Sequence, residues 1–119
     1  MYCGAHGLDN LIGILDCNKV QLDGTVRQIL DTGNLIEKFQ SFGFNVLDID
    51  GHDIAAIDAA IDSAKSTVGK PSMIIANTIK GKGVSFMEGK SEWHGKTPND
   101  EQFEEAFCEL IAQKKRLEA

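Results

Sequence analysis

The strongest constraint in this sequence is the order in which two hydrophobic periods alternate along it. Leu11-Ile12-Gly13-Ile14-Leu15 has the length of a strand and is apolar at successive positions, hence apolar on both faces, as a strand buried in a parallel sheet is. Between Gly33 and Phe42 the period changes: Leu35, Ile36, Phe39 and Phe42 recur at helical spacing, and Gly43 stands where a helix C-cap belongs. Phe44-Asn45-Val46-Leu47-Asp48-Ile49 returns to strand length. From Asp53 to Val68, Ile54, Ile57, Ile61 and Ala64 form one stripe, with Asp58, Asp62 and Lys65 facing away. Gly69-Lys70-Pro71 breaks that helix, and Ser72-Met73-Ile74-Ile75-Ala76-Asn77 is a third apolar run of strand length. Strands alternating with helices predict an α/β chain, here part of a doubly wound, mainly parallel sheet, in which ligands bind beyond the C-terminal ends of the strands.

After Asn77 no period is sustained. Thr78 to Asn99 mixes Gly81, Gly83, Gly89 and Gly95 with lysines and a histidine, which predicts a long loop of the kind that usually serves function. Asn99-Asp100-Glu101 then opens a helix with acidic residues in its first turn, and Phe103, Phe107, Leu110 and Ile111 repeat at helical spacing, so the phenylalanines read as core. At 119 residues there is room for one small domain and not for a second independent core.

Composition excludes several classes. Twelve Lys and Arg against 18 Asp and Glu leave a net charge of −6, so the broad positive field of a nucleic-acid binder is missing. No apolar run approaches the ~20 residues of a membrane span. The N-terminal Met1-Tyr2-Cys3-Gly4 lacks the basic and apolar regions of a secretory signal. Cys3, Cys17 and Cys108 are odd in number and too far apart for a CxxC site, which predicts reduced thiols and a cytoplasmic chain.

Two loops at strand ends, Asp16 to Gly24 and Thr78 to Pro98, carry the residues with chemical potential. Asn18 and the carbonyl of Val20 are oxygens that could serve a hard cation such as magnesium, although an Asn after a strand is more often a turn residue. Lys80-Gly81-Lys82-Gly83 pairs point charges with glycines that let backbone amides approach phosphate oxygens, without being a Walker A sequence. His94 can act as acid, base or hydrogen-bond donor to phosphate. His6 reads as a helix end, His52 as a residue preceding the next helix, Cys17 as a small buried filler, and Lys114-Lys115-Arg116 as a solvated helix end that favours the dipole.

Several of these segments, in this order and spacing, resemble transketolase. They are Leu8-Asp9-Asn10-Leu11-Ile12 with Asp16-Cys17-Asn18, Phe42-Gly43-Phe44-Asn45-Val46, Ile49-Asp50-Gly51-His52-Asp53, Lys70-Pro71, Thr78-Ile79-Lys80-Gly81-Lys82-Gly83-Val84-Ser85-Phe86-Met87, and Trp93-His94-Gly95-Lys96. More narrowly, they are similar to the thiamine diphosphate-binding domain in the N-terminal subunit of the split bacterial form. The resemblance implies the thiamine diphosphate-binding fold, with thiamine diphosphate and Mg2+ as cofactors and transfer of a two-carbon ketol unit from a ketose phosphate to an aldose phosphate. It implies that Asn18 and Val20 hold the magnesium, that Asn18, Lys80 and His94 meet the cofactor, and that His94 also reaches the sugar and takes part in catalysis. The family's GDG motif, whose aspartate is a metal ligand, is absent, and Met1 aligns within the helix that follows it. The expectation is therefore a partial chain, with residues 1–119 forming the C-terminal portion of the domain and inactive by themselves. The implied partners are sugar phosphates and a C-terminal pyrimidine-domain subunit carrying the activating glutamate, in a complete form that is oligomeric. The alternatives are another thiamine diphosphate enzyme, such as 1-deoxyxylulose 5-phosphate synthase or a 2-oxo acid dehydrogenase, and a non-catalytic assembly fragment. The Trp93-His94-Gly95 setting favours transketolase over the other enzymes.

Overall fold

Residues 1–118 are described by a computed structural model. The elements run α1 (Tyr2–Ala5), β1 (Ile12–Asp16), β2 (Val20–Gln21), β3 (Gly24–Thr25), α2 (Val26–Ile29), α3 (Leu35–Ser41), β4 (Asn45–Asp50), α4 (Ile54–Ser66), β5 (Ser72–Asn77), a 3-10 turn (Ser91–His94) and α5 (Asp100–Leu117). They fall into two compact units. The first takes Met1–Cys17 and Thr32–Thr78, and the second takes Asn18–Asp31 and the chain from Ile79.

In the first unit the most apolar strand occupies the centre of the sheet. β5 pairs in parallel with β1 on one side and β4 on the other, in the order β1-β5-β4. Ile74, Ile75 and Ala76 of β5 are buried, as the continuous apolar run requires. Ile14, Ile74 and Leu47 share one register row. On that face Ala60 and Ala64 of α4 meet Ile74, with Ile12, Leu47, Ile49 and Ile61 packed around them. Small residues at the contact let the helix lie close to the strand, and Ala64 has no exposed surface.

Local chemistry sets the helix ends. Asp53 accepts the N–H groups of Ala55 and Ala56 and so caps α4, with His52 exposed just before it. At the end of α3, Phe44 N–H donates to Phe39 O and Gly43 N–H to Gln40 O, a Schellman motif, and the Phe39 and Phe44 rings meet edge to face at 5.6 Å. Gly43 has φ +86 and lies 3.3 Å from Gly4 Cα where a Cβ would stand, so glycine is required there. The buried Ser72 hydroxyl lies 3.3 Å from Asn45 Nδ2, which also donates to Thr67 Oγ1. At the C-terminal ends of the strands, Asn77 donates to Asp48 and Ile49 O, and Thr78 Oγ1 donates to Asp16.

Four expectations need correction. β1 is an edge strand: its pairing among the described residues is with β5 alone, and Ile14 is 64% exposed because α4 does not reach that far across the sheet. Ile54 is 77% exposed, and Ala60 rather than Ile54 joins Ala64 in the buried stripe of α4. Phe103 and Phe107 stack on one another at 6.0 Å but are 55% and 51% exposed, and Phe42 is exposed as well, so these rings are not core in this chain. Cys17 is half-buried rather than buried, and like Cys3 and Cys108 it is in no disulfide among the described residues. His6 forms the C-cap of α1 as expected, its ring 4.1 Å from that of Tyr2.

The centre and the edge of the sheet should respond differently to truncation. Ile74→Ala is expected to cost about 2–5 kcal/mol through lost burial and a cavity. Ile14→Ala in the same register row should stay within about 0.5 kcal/mol. Urea denaturation of both variants checks this, and equal losses would contradict a core centred on β5.

Candidate functional site

The second unit is built from two segments, and it contains every residue for which the sequence suggests a ligand. Asn18 opens the first segment directly after Cys17. Its Oδ1 accepts the Val20 N–H at 2.9 Å, so the side chain closes a turn over Lys19. Lys19 has φ +65, the one left-handed non-glycine residue among those described, a conformation costing about 1–2 kcal/mol that the flanking bonds must offset. The Val26 N–H donates to Lys19 O at 2.9 Å, and β2 pairs antiparallel with β3 through Val20 with Thr25 and Gln21 with Gly24. A capping box between Thr25 and Gln28 starts α2. The expected loop is thus a small hairpin followed by one helical turn. Asn18 is a turn residue, its amide oxygen engaged by the Val20 N–H.

The second segment begins two residues after β5. Lys80 is half-buried, and its carbonyl accepts the Gly89 N–H at 2.9 Å, which closes residues 80–89 into a ring. Inside the ring Glu88 accepts the Gly83 N–H at 3.0 Å and lies 3.6 Å from Lys82 Nζ. The Gly83 hydrogen bond, followed by the charge of Lys82, holds the Glu88 carboxyl below its ordinary value, against partial desolvation and the repulsion of Glu109. Glu109 of α5 accepts both the hydroxyl and the backbone N–H of Ser85, and those two bonds lower its pKa too. Gln113 Nε2 donates to Gly83 O at 2.7 Å. Beyond the ring, Trp93 Nε1 donates to Phe86 O at 3.1 Å, and Lys96 Nζ sits 4.6 Å over the indole. His94 ends the 3-10 turn, exposed, with Gly95 as its C-cap.

The structure therefore brings Asn18, Val20, Lys80 and His94 into one unit, where a turn and a closed loop carry them. Among the described residues no group of three or more His, Cys, Asp or Glu is gathered for a metal. Sequence reasoning missed Glu88, Glu109 and Gln113. The one signal for them was the spacing of four between Glu109 and Gln113, which places both on one helical face. The stronger apolar period of Phe107, Leu110 and Ile111 masked it.

Comparison with known proteins gives a consistent result. The family description "Transketolase, thiamine diphosphate binding domain" matches residues 1–113. The chain is 44% identical over 110 residues to one subunit of the 6-deoxy-6-sulfo-D-fructose transketolase of Clostridium sp., covering 92% of this chain and 40% of that protein. It is 38% identical over 113 residues to one subunit of the apulose-4-phosphate transketolase of Phocaeicola vulgatus, covering 95% of this chain and 40% of that protein. The chain thus spans about two fifths of the length of these relatives. The crystal structure of transketolase from Campylobacter jejuni superimposes with a TM-score of 0.84 at 36% identity, covering 92% of this chain and 17% of that one.

The two carboxylates give the loop an acid dependence of known sign. Both have lowered pKa values in the folded chain, so their bonds are fully present above the ordinary glutamate value and are lost as pH falls through the lowered ones. The amide NMR signals of Gly83 and Ser85 should titrate with midpoints below the ordinary glutamate value. In Glu109→Gln only the Ser85 titration should disappear. Midpoints at or above the ordinary value would contradict the hydrogen-bonding described.

Proposed function

The chain belongs to the transketolase family, in its thiamine diphosphate-binding domain, and from that membership we propose that it forms part of the cofactor site of a transketolase. The reaction proposed is transfer of a two-carbon ketol unit from a ketose phosphate to an aldose phosphate. The observation that carries this reading is the gathering of the Asn18 turn, the Lys80 ring and the glycine-flanked His94 in one unit. These residues fit a magnesium diphosphate group. The turn at Lys19 sets an amide oxygen and a main-chain carbonyl two residues apart, and the loop adds an ammonium and an imidazole of the right chemistry for phosphate oxygens.

In this reading Asn18 Oδ1 and Val20 O supply two of the six oxygens of the magnesium, and diphosphate, water and other groups complete the octahedron. Lys80 places a positive charge toward the cofactor. His94 donates a hydrogen bond to the diphosphate and exchanges a proton with a hydroxyl of the sugar, for which exposure at a loop end leaves it access. Thiamine diphosphate, when bound, supplies the electron sink for breaking the carbon–carbon bond. The names of two relatives, which are subunits of transketolases for apulose-4-phosphate and 6-deoxy-6-sulfo-D-fructose, support a split enzyme with a second, pyrimidine-domain subunit, its donor an anionic sugar. Residues 1–119 would be the C-terminal portion of the domain, inactive without their partners and oligomeric in the complete form. The odd number and wide spacing of Cys3, Cys17 and Cys108 support a cytoplasmic setting. Among the described residues no helix is long and apolar enough to cross a membrane. A non-catalytic assembly piece is the second reading, favoured by the exposed apolar stripe of Phe103, Phe107 and Leu110 on α5.

Substitutions in the complete enzyme separate the roles. Asn18→Leu should weaken thiamine diphosphate binding and flatten its magnesium dependence. Lys80→Ala should raise the cofactor Kd with little change in kcat, whereas His94→Ala should lower kcat by about 10²-fold or more. Calorimetric titration and steady-state kinetics check these outcomes. A normal kcat in His94→Ala, or an unchanged magnesium titration in Asn18→Leu, would refute the corresponding role.

A further inference from the structure

The loop carrying Lys80 and His94 lacks a sustained apolar period, yet its middle is fastened to α5 by polar side chains. Glu109 takes two hydrogen bonds from Ser85, one from the backbone N–H at 2.6 Å and one from the hydroxyl. One turn further on, Gln113 donates to Gly83 O. Residues four apart share a helix face, so the two side chains grip neighbouring loop positions together. Gly83 is the point of closest approach: φ is +100, and a Cβ there would stand 3.2 Å from Leu110 and 3.3 Å from Gln113. Phe86 follows Ser85, accepts the indole N–H of Trp93, and lays its ring 5.3 Å from the Trp93 ring. Trp93 directly precedes His94. Contacts therefore run without a gap from Glu109 through Ser85, Phe86 and Trp93 to His94.

We propose that Glu109 and Gln113 are positioning residues for His94: they fix the turn at residues 83–86, that turn seats Trp93, and the seated indole sets where the adjoining imidazole stands. This rests on the reading of His94 as the group that meets diphosphate and sugar. A carboxylate suits the task because its two oxygens accept the Ser85 N–H and hydroxyl at once. A neutral amide offers one acceptor oxygen and an alanine none, which orders the variants before any measurement.

Trp93 is the only tryptophan, so its fluorescence reports this seat alone. In the full chain, Glu109→Ala should move the emission to the red and raise acrylamide quenching by about threefold or more while far-UV circular dichroism is retained. Glu109→Gln should fall between Ala and the wild type, and Gln113→Ala should act in the same direction. Adding Ser85→Ala to Glu109→Ala should give less than the sum of the single effects, because the hydroxyl bond that Ser85→Ala removes is already lost in Glu109→Ala. Unchanged Trp93 emission in Glu109→Ala, or strict additivity with Ser85→Ala, would overturn the proposal. Should Glu109→Ala fail to fold, Glu109→Gln and Ser85→Ala carry the same test.

Binding of thiamine diphosphate with magnesium, measured in the complete enzyme with its GDG segment and pyrimidine-domain subunit, distinguishes positioning from mere structural support. The Kd should rise about threefold or more in Glu109→Ala and recover toward the wild-type value in Glu109→Gln. Altered emission with an unchanged Kd would overturn the positioning role. Absence of binding to the wild-type assembly would instead refute the reading of His94, and the functional half of the proposal with it, while the fluorescence result would still decide whether the α5 clamp exists.

Discussion

Everything in the first unit hangs on the placement of β5 between β1 and β4. A strand paired on both edges and covered on its face has no water for its backbone, so every N–H and C=O must find a partner in the ladder. The run Ser72–Asn77 meets that demand because it is apolar throughout its middle and contains no proline. Its central position follows, with β1 and β4 on either side, and α4 contributes small side chains to the face where Ile74 lies. The chain leaves this sheet at Cys17 and at Thr78, and the Thr78 to Asp16 hydrogen bond joins the two strand ends just before those exits. Both segments of the second unit begin there.

The second unit is stabilised by different means. Its loop has few large apolar residues turned inward, and its conformation comes from hydrogen bonds to charged or amide side chains: Glu88 on Gly83, Glu109 on Ser85 and Gln113 on Gly83. Such bonds hold a definite backbone path while leaving His94 exposed and Lys80 half-buried. Asn18 works in the same way in its turn, where its amide oxygen accepts the Val20 N–H and fixes the backbone. Affinity for an anionic, metal-bearing ligand is compatible with a net charge of −6 because the cationic groups are local to this loop.

Much of this was legible in the residues. The strands near Ile12, Asn45 and Ser72 and the helices near Leu35, Ile54 and Asp100 follow from period and caps, because those signals are local. The exposure of Ile14, Phe103 and Phe107 was not legible, since an apolar residue looks the same in a sequence whether or not its partner surface is within the chain. The hairpin at Val20–Thr25 was missed because strands of two residues are too short to show a period. For the candidate site, the motif segments pointed to Asn18, Val20, Lys80 and His94, while the clamp of Glu88, Glu109 and Gln113 depends on contacts between residues up to 30 apart in the chain. No window on the sequence reports those.

The claim on which the functional reading turns is that one unit of this chain receives a magnesium diphosphate group. Backbone amide shift mapping of these residues in the complete enzyme, with its GDG segment and pyrimidine-domain subunit, tests it most directly. Titration with thiamine diphosphate should move the signals of residues 18–20, 80–84 and 93–95 saturably when magnesium is present and leave them in place when it is withheld. Shifts confined to the sheet residues 45–50 and 72–77, or shifts at the loop that ignore magnesium, would contradict the assignment.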